Sequence, residues 1–133
     1  MLISSKQSLQ NDILDGVNIL ADAVSTTLGP RGRNVILKEK GKVPIITKDG
    51  VSVANHVSVE HPVQNLGIEI IKQASQQTAT QAGDGTTTSI VLSRALLREA
   101  QKYIISGVSP VEMKRGMDKA VESIVAKLAE IAI

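Results

Sequence analysis

Gly83-Asp84-Gly85, followed at once by Thr86-Thr87-Thr88, puts phosphate and cation chemistry on six consecutive residues. The two glycines let the backbone come close to a ligand and take the positive φ that other residues avoid. The threonines offer consecutive N–H groups and three hydroxyls where a helix begins. A helix start attracts phosphate through its unpaired amides and its dipole. A carboxylate at that place repels bare phosphate, so Asp84 fits when a hard cation such as Mg²⁺ lies between carboxylate and phosphate oxygens. The simpler alternative is a tight turn with Asp84 as a helix cap, a position Asp favours whatever the ligand. Three threonines in a row are poor helix formers, which favours the ligand.

Two further segments carry similar chemistry. Thr27-Leu28-Gly29-Pro30-Arg31-Gly32-Arg33-Asn34 closes a helical pattern with glycine, proline and two arginines. Thr47-Lys48-Asp49-Gly50 follows a strand-like run and supplies a second carboxylate. Taken alone, the first is a helix end and the second an ordinary turn. The chain has no Gly-x-x-x-x-Gly-Lys-Ser/Thr, which excludes a P-loop. His56 and His61 have no carboxylate at metal-ligand spacing and read as solvated polar residues.

In this order and spacing, the three segments resemble the N-terminal part of a chaperonin ATPase domain. Gly32-Arg33-Asn34-Val35 and Lys48-Asp49-Gly50 resemble the group I branch, the bacterial GroEL type. The likeness runs from about Leu9 to the last residue and takes in Gly16-Val17-Asn18, Ala21-Asp22-Ala23-Val24 and Lys114-Arg115-Gly116. It implies ATP as the nucleotide. Thr27, Leu28, Gly29 and Pro30 would wrap it, and Gly83, Asp84, Gly85, Thr86, Thr87 and Thr88 would hold its phosphates. Asp84 would contact Mg²⁺, and the backbone at Thr27 and Lys48 would help to hold K⁺. Asp49 would face the terminal phosphate and orient the attacking water, a positioning task that needs no strong base. Arg31 stands where the family commonly has Lys and is left out of the ligand set; Arg33 reads as a surface or interface residue. The resemblance implies a homo-oligomeric ring that encloses non-native polypeptide clients with a co-chaperonin. Asp15, where the family tends to have a basic residue, bears on packing between subunits.

The elements that must position these residues follow from periodicity. Leu9, Ile13, Val17, Leu20, Val24 and Leu28 mark an amphipathic helix that Gly29 and Pro30 end. Strands are expected over 34–37 and 43–47, joined by the polar tip Lys38-Glu39-Lys40-Gly41-Lys42. A short helix follows Asp49-Gly50, and His61-Pro62 precedes a helix over about 64–81 with Leu66, Ile70, Ile71, Ala74 and Ala79 as its apolar positions. The next helix runs over about 86–106, with Ile90, Val91, Ala95, Leu96 and Ile104 inward. Ser109-Pro110-Val111-Glu112 is a capping box with proline in the first helical position. Met113, Met117, Ala120, Val121, Ile124, Leu128 and Ile131 then form one stripe, in which the methionines read as core.

The expected architecture is mainly α: a chaperonin equatorial-domain-like helical bundle with a small β-hairpin, residues 1–133 forming its N-terminal half. Residues 124–133 stay in helical register with no stop signal, the expected mark of a piece of a longer domain. The intermediate, apical and C-terminal equatorial segments would lie outside it. The alternative is a truncated helical fragment with neither ATPase nor folding activity. Among 133 residues, 42% are apolar but Tyr103 is the one aromatic, so the core must be aliphatic. A net charge of +2 and the lack of stacking side chains argue against nucleic acid. With no cysteine, disulfides and thiolate metal sites are excluded. Residues 1–6 lack a signal or transit pattern, and no run approaches the roughly 20 apolar residues of a membrane span. A cytoplasmic chain is expected.

Overall fold

A computed structural model describes residues 6–133 of the chain; the first five residues of the stretch read above for targeting signals lie outside it. The order is α1 (Lys6–Ser25), β1 (Val35–Leu37), β2 (Ile45–Thr47), α2 (Gly50–His56), α3 (Pro62–Ala82), α4 (Thr86–Ile105) and α5 (Pro110–Ile131). Among the described residues, five helices with one antiparallel hairpin give the mainly α, equatorial-domain-like architecture expected. Two compact units divide the chain, the first running to Leu97 and the second from Arg98 to Ile133.

The first unit is built on α1 and α3. Val17, Leu20, Ala21 and Val24 of α1 are buried with Ile68 and Ile71 of α3, Val53 and Ala54 of α2, Leu37 of β1 and Ile90 of α4. Burying each large aliphatic side chain stabilises by roughly 1.5–3 kcal/mol, so this aliphatic cluster can hold the unit without aromatics. The α1–α3 contact is backbone-close. A Cβ on Gly16 would overlap the Gln64 carbonyl, and one on Gly67 would overlap the Ile13 carbonyl. Arg94 of α4 pairs with Asp22 of α1, which ties the first half of α4 to the same bundle.

Several boundaries and faces differ from the sequence reading, each for a local reason. Helix α1 stops at Ser25, short of Gly29, so Leu28 is not on its apolar face. The hydroxyls of Ser25, Thr26 and Thr27 each donate to the carbonyl three residues back, and this competes with further helix. The strands are three residues each, with Val35 opposite Thr47, Ile36 opposite Ile46 and Leu37 opposite Ile45. Pro44, which has no N–H for a ladder, precedes β2. On α3 the buried face is Gly67, Ile68, Ile71 and Ser75, while Leu66 and Ile70 are exposed.

Both histidines make specific contacts in place of plain solvation. His61 caps α3, its Nδ1 accepting from Gln64 N at 3.3 Å. His56 lies with Nε2 3.1 Å from Glu39 Oε1 at the hairpin tip.

In the second unit, Gly107 (φ +108°) ends α4 and Ser109 caps α5. The Ser109 hydroxyl accepts from Val111 N at 3.2 Å, so the cap pairs with the second helical amide and not with Glu112 as a capping box would. No residue of α5 is buried, and Met113 and Met117 are only half-buried rather than core. Val121, Ile124, Val125, Leu128 and Ile131 are each more than half exposed. Exposed apolar area of that extent drives association. The chain is therefore expected to bind a hydrophobic dye and to scatter more light per molecule as concentration rises. Ile124→Lys with Leu128→Lys should remove both signals, and a dye-silent monomer in the unsubstituted chain would contradict this.

Candidate functional site

The three segments singled out by residue type meet in one cleft of the first unit. Its walls are Thr27, Leu28 and Gly29 after α1, Lys48, Asp49, Gly50 and Val51 at the start of α2, and Asp84, Gly85, Thr86, Thr87 and Thr88 at the start of α4. The cleft holds about 330 Å³ and is mostly polar. Sequence-distant turns converge here because the bundle brings the end of α1 beside the starts of α2 and α4.

Each turn has its own structural cause. After α1, Thr27 N donates to Val24 O at 3.0 Å and Arg33 N to Thr26 O at 2.6 Å, closing a loop over 26–33. Gly29 sits at φ +79° with nothing near its missing Cβ, so conformation and not crowding requires glycine there. Thr27 spends its hydroxyl proton on Val24 O at 2.7 Å, which leaves the oxygen as an acceptor.

The start of α4 shows what Asp84 does. Gly85 O accepts the first helical bond, from Ser89 N at 2.8 Å, so Gly85 and not Asp84 stands at the cap position. The Asp84 carboxylate accepts only from its neighbour Gly85 N, at 2.7 Å, among the described residues. The amides of Thr86, Thr87 and Thr88 donate to no acceptor among those residues, although Thr86 is buried. Free amides at a helix start beside an exposed carboxylate suit phosphate and a hard cation together.

Asp49 caps α2. Its Oδ2 accepts from Ser52 Oγ at 2.7 Å and Ser52 N at 3.3 Å, and its Oδ1 from Val51 N at 3.4 Å. The Ser52 hydroxyl, then the amides, hold the Asp49 carboxyl below the usual aspartate range, against partial burial that pushes it up. The group is therefore an anionic acceptor at neutral pH, suited to orienting a donor and not to taking a proton.

Gly50 and Val51 join the cleft although neither was counted as a site residue from sequence. Gly50 is buried, and a Cβ there would overlap Thr87 Oγ1 and lie 3.3 Å from Thr27 Oγ1. Three segments touch at this α-carbon, a role that the Lys48-Asp49-Gly50 wording signals only as a turn. Pro30 and Gly83, by contrast, do not line the cleft. Gly83 is the left-handed cap of α3 at φ +77°, and Pro30 lies exposed beyond Gly29.

The donor set can be tested against the groups the resemblance implies. No cluster of three or more His, Cys, Asp or Glu side chains forms among the described residues. A cation in this cleft would rest on one or two carboxylates and complete its shell from phosphate, hydroxyl and water. That is the usual manner of Mg²⁺, so the residues fit a Mg²⁺–phosphate ligand.

The helices, the hairpin and the cleft at their turns define a chaperonin equatorial-domain-like chain. The family model described as the TCP-1/cpn60 chaperonin family matches residues 20–133, and the chain belongs to that family. The match begins within α1 and takes in all three walls of the cleft. Membership carries a chaperonin role in protein folding, in a family that is generally ATP-dependent. No helix among the described residues is long and apolar enough to cross a membrane.

Proposed function

We propose that this chain supplies the phosphate and Mg²⁺ side of the ATP site of a ring-forming chaperonin of the group I, GroEL-like type. The observation that carries the reading is the convergence of Asp49, Asp84 and the unpaired amides of Thr86, Thr87 and Thr88 on one polar cleft. Thr27, Leu28 and Gly29 form the wall that wraps the nucleotide, and Pro30 fixes the chain beyond it. The amides after Gly85 hold phosphate oxygens, and Gly83 sets the turn that presents Asp84.

Asp84 would hold Mg²⁺ beside the phosphates, and the ion would supply neutralisation of the charge that builds up as the phosphoryl group transfers. Asp49 orients the attacking water. Thr27 and Lys48 offer backbone carbonyls for K⁺. Residues 1–133 form the N-terminal half of the equatorial domain, and the remaining domains carry client and co-chaperonin contacts in a homo-oligomeric ring.

On this reading the isolated chain binds ATP weakly and does not turn it over, since the second half of the pocket comes from elsewhere. Steady-state phosphate release from the purified 133-residue chain tests this. The expected rate is no higher than buffer with Mg²⁺ and ATP. Robust Mg²⁺-dependent release would show that the cleft alone holds a complete catalytic set and would overturn the half-site reading.

A further inference from the structure

Ser52 stands behind Asp49, one turn into α2, and does not line the cleft. Its hydroxyl nevertheless makes the shortest of the bonds to the Asp49 side chain, 2.7 Å to Oδ2. Capping does not require that bond. The amides of Val51 and Ser52 already meet the carboxylate at 3.4 and 3.3 Å, which satisfies the start of the helix. The hydroxyl adds a charge-assisted bond, the stronger kind, to an oxygen that already has a partner. The two carboxylate oxygens are thereby made unequal. Oδ2 carries two bonds and is held; Oδ1 carries one long bond and keeps most of its acceptor capacity.

The surroundings brace the arrangement at both ends. Asp49 N donates to Thr47 Oγ1 at 3.0 Å, which fixes the backbone ahead of the carboxylate. Behind it, His56 Nδ1 lies 2.8 Å from Ser52 O, and that contact sits on the same short helix. A carboxylate that lacked the hydroxyl would keep its two weak amide bonds and gain freedom to rotate about its last torsion. Water orientation depends on that angle, because misplacement of a reacting group by about 1 Å can cost on the order of a hundredfold in rate.

We propose that Ser52 is a positioning residue for ATP hydrolysis, pinning Oδ2 of Asp49 so that Oδ1 is presented to the attacking water. This rests on the reading of Asp49 as the water-orienting group. Ser52 acts through Asp49 and touches neither nucleotide nor cation.

The test is steady-state ATP hydrolysis by the assembled chaperonin carrying Asp49→Asn, Ser52→Ala, Ser52→Thr or no substitution. Ser52→Ala is expected to lower kcat by about tenfold, the order expected for one charge-assisted bond, and to leave KM within about twofold. Ser52→Thr keeps the hydroxyl and is expected to restore most of kcat. If Asp49→Asn turns over like the parent, the site reading fails and this proposal goes with it. If Asp49→Asn is inactive while Ser52→Ala matches the parent, the site reading stands and the Ser52 proposal alone is overturned. A raised KM at unchanged kcat, or no rescue by Ser52→Thr, also overturns it, because either result assigns Ser52 to binding or to packing. Should Ser52→Ala fail to assemble, Ser52→Cys replaces the hydroxyl with a weak donor of similar size, and kcat equal to the parent's would overturn the proposal.

Discussion

Asp84→Ala is expected to abolish ATP hydrolysis by the assembled chaperonin while leaving the turn in place. The backbone there is set by Gly83 at φ +77° and Gly85 at φ +91°, which both remain. The carboxylate contributes one bond, to Gly85 N, and it does not cap α4, whose first helical bond belongs to Gly85 O. Losing it therefore removes little local structure. What it removes is the anionic oxygen beside three free amides, the group that would share a cation with phosphate. A metal contributes several kcal/mol of charge stabilisation, so the expected loss in kcat is about a hundredfold or more. Nucleotide affinity in Mg²⁺ should fall, while affinity in chelator should hold or rise, since the carboxylate repels bare phosphate. Turnover that survives the substitution would reduce Asp84 to a turn residue.

Gly16→Ala is expected to be the most destabilising small change in the first unit. Alanine in a helix interior is favoured over glycine by roughly 1 kcal/mol, which alone would stabilise α1. Here the added Cβ overlaps the Gln64 carbonyl of α3, a backbone atom that cannot rotate away. The helices must separate, and the buried Val17, Leu20 and Ile68 lose contact with them. Overpacking of this kind costs about 1–3 kcal/mol and occasionally more, so the net expectation is a loss of about 2 kcal/mol or more. Gly116 on α5 is the control, since nothing lies within 4 Å of a Cβ placed there. Urea unfolding followed by far-ultraviolet dichroism reads both. The midpoint should fall for Gly16→Ala and hold or rise for Gly116→Ala. A Gly16→Ala midpoint at or above the parent's would show that α1 and α3 are not in backbone contact.

The elements were legible wherever a local signal decided them. Ser109-Pro110 started α5 and Gly107 ended α4 as read, and the hairpin appeared between the two β-branched runs. Legibility failed where a side chain's partner lay elsewhere. Nothing in the Leu28-Gly29-Pro30 wording shows that three hydroxyls end α1 four residues before Gly29. On α3, Gly67 and Ser75, which carry no hydrophobic signal, share the buried face with Ile68 and Ile71, so the reading from apolar positions kept Ile71 but placed Leu66 and Ile70 inward as well. His61 looked solvated because a histidine cap depends on the ring reaching Gln64 N.

Of the twelve residues that line the cleft, residue type alone marks Asp84, Gly85, Thr86, Thr87 and Thr88, while Thr27, Leu28, Gly29, Lys48 and Asp49 enter through the chaperonin resemblance. Gly50 and Val51 were missed. The value of Gly50 is an absence of side chain opposite Thr87 and Thr27, and that appears only when the three turns are seen together. Pro30 and Gly83, neighbours of lining residues in sequence, shape the turns without lining the cleft.

The central claim is that the three turns form one nucleotide-phosphate site. Backbone amide spectra of the ¹⁵N-labelled chain, titrated to millimolar Mg²⁺ and ATP, test it most directly. The expected result is a weak, saturable set of shifts confined to Thr27–Gly29, Lys48–Val51 and Asp84–Thr88, largest at the free amides of Thr86, Thr87 and Thr88 and much reduced in Asp84→Ala. Shifts that avoid those amides, or that fall on the glutamine-rich face of α3 around Gln73, Gln77 and Gln81 instead, would contradict it.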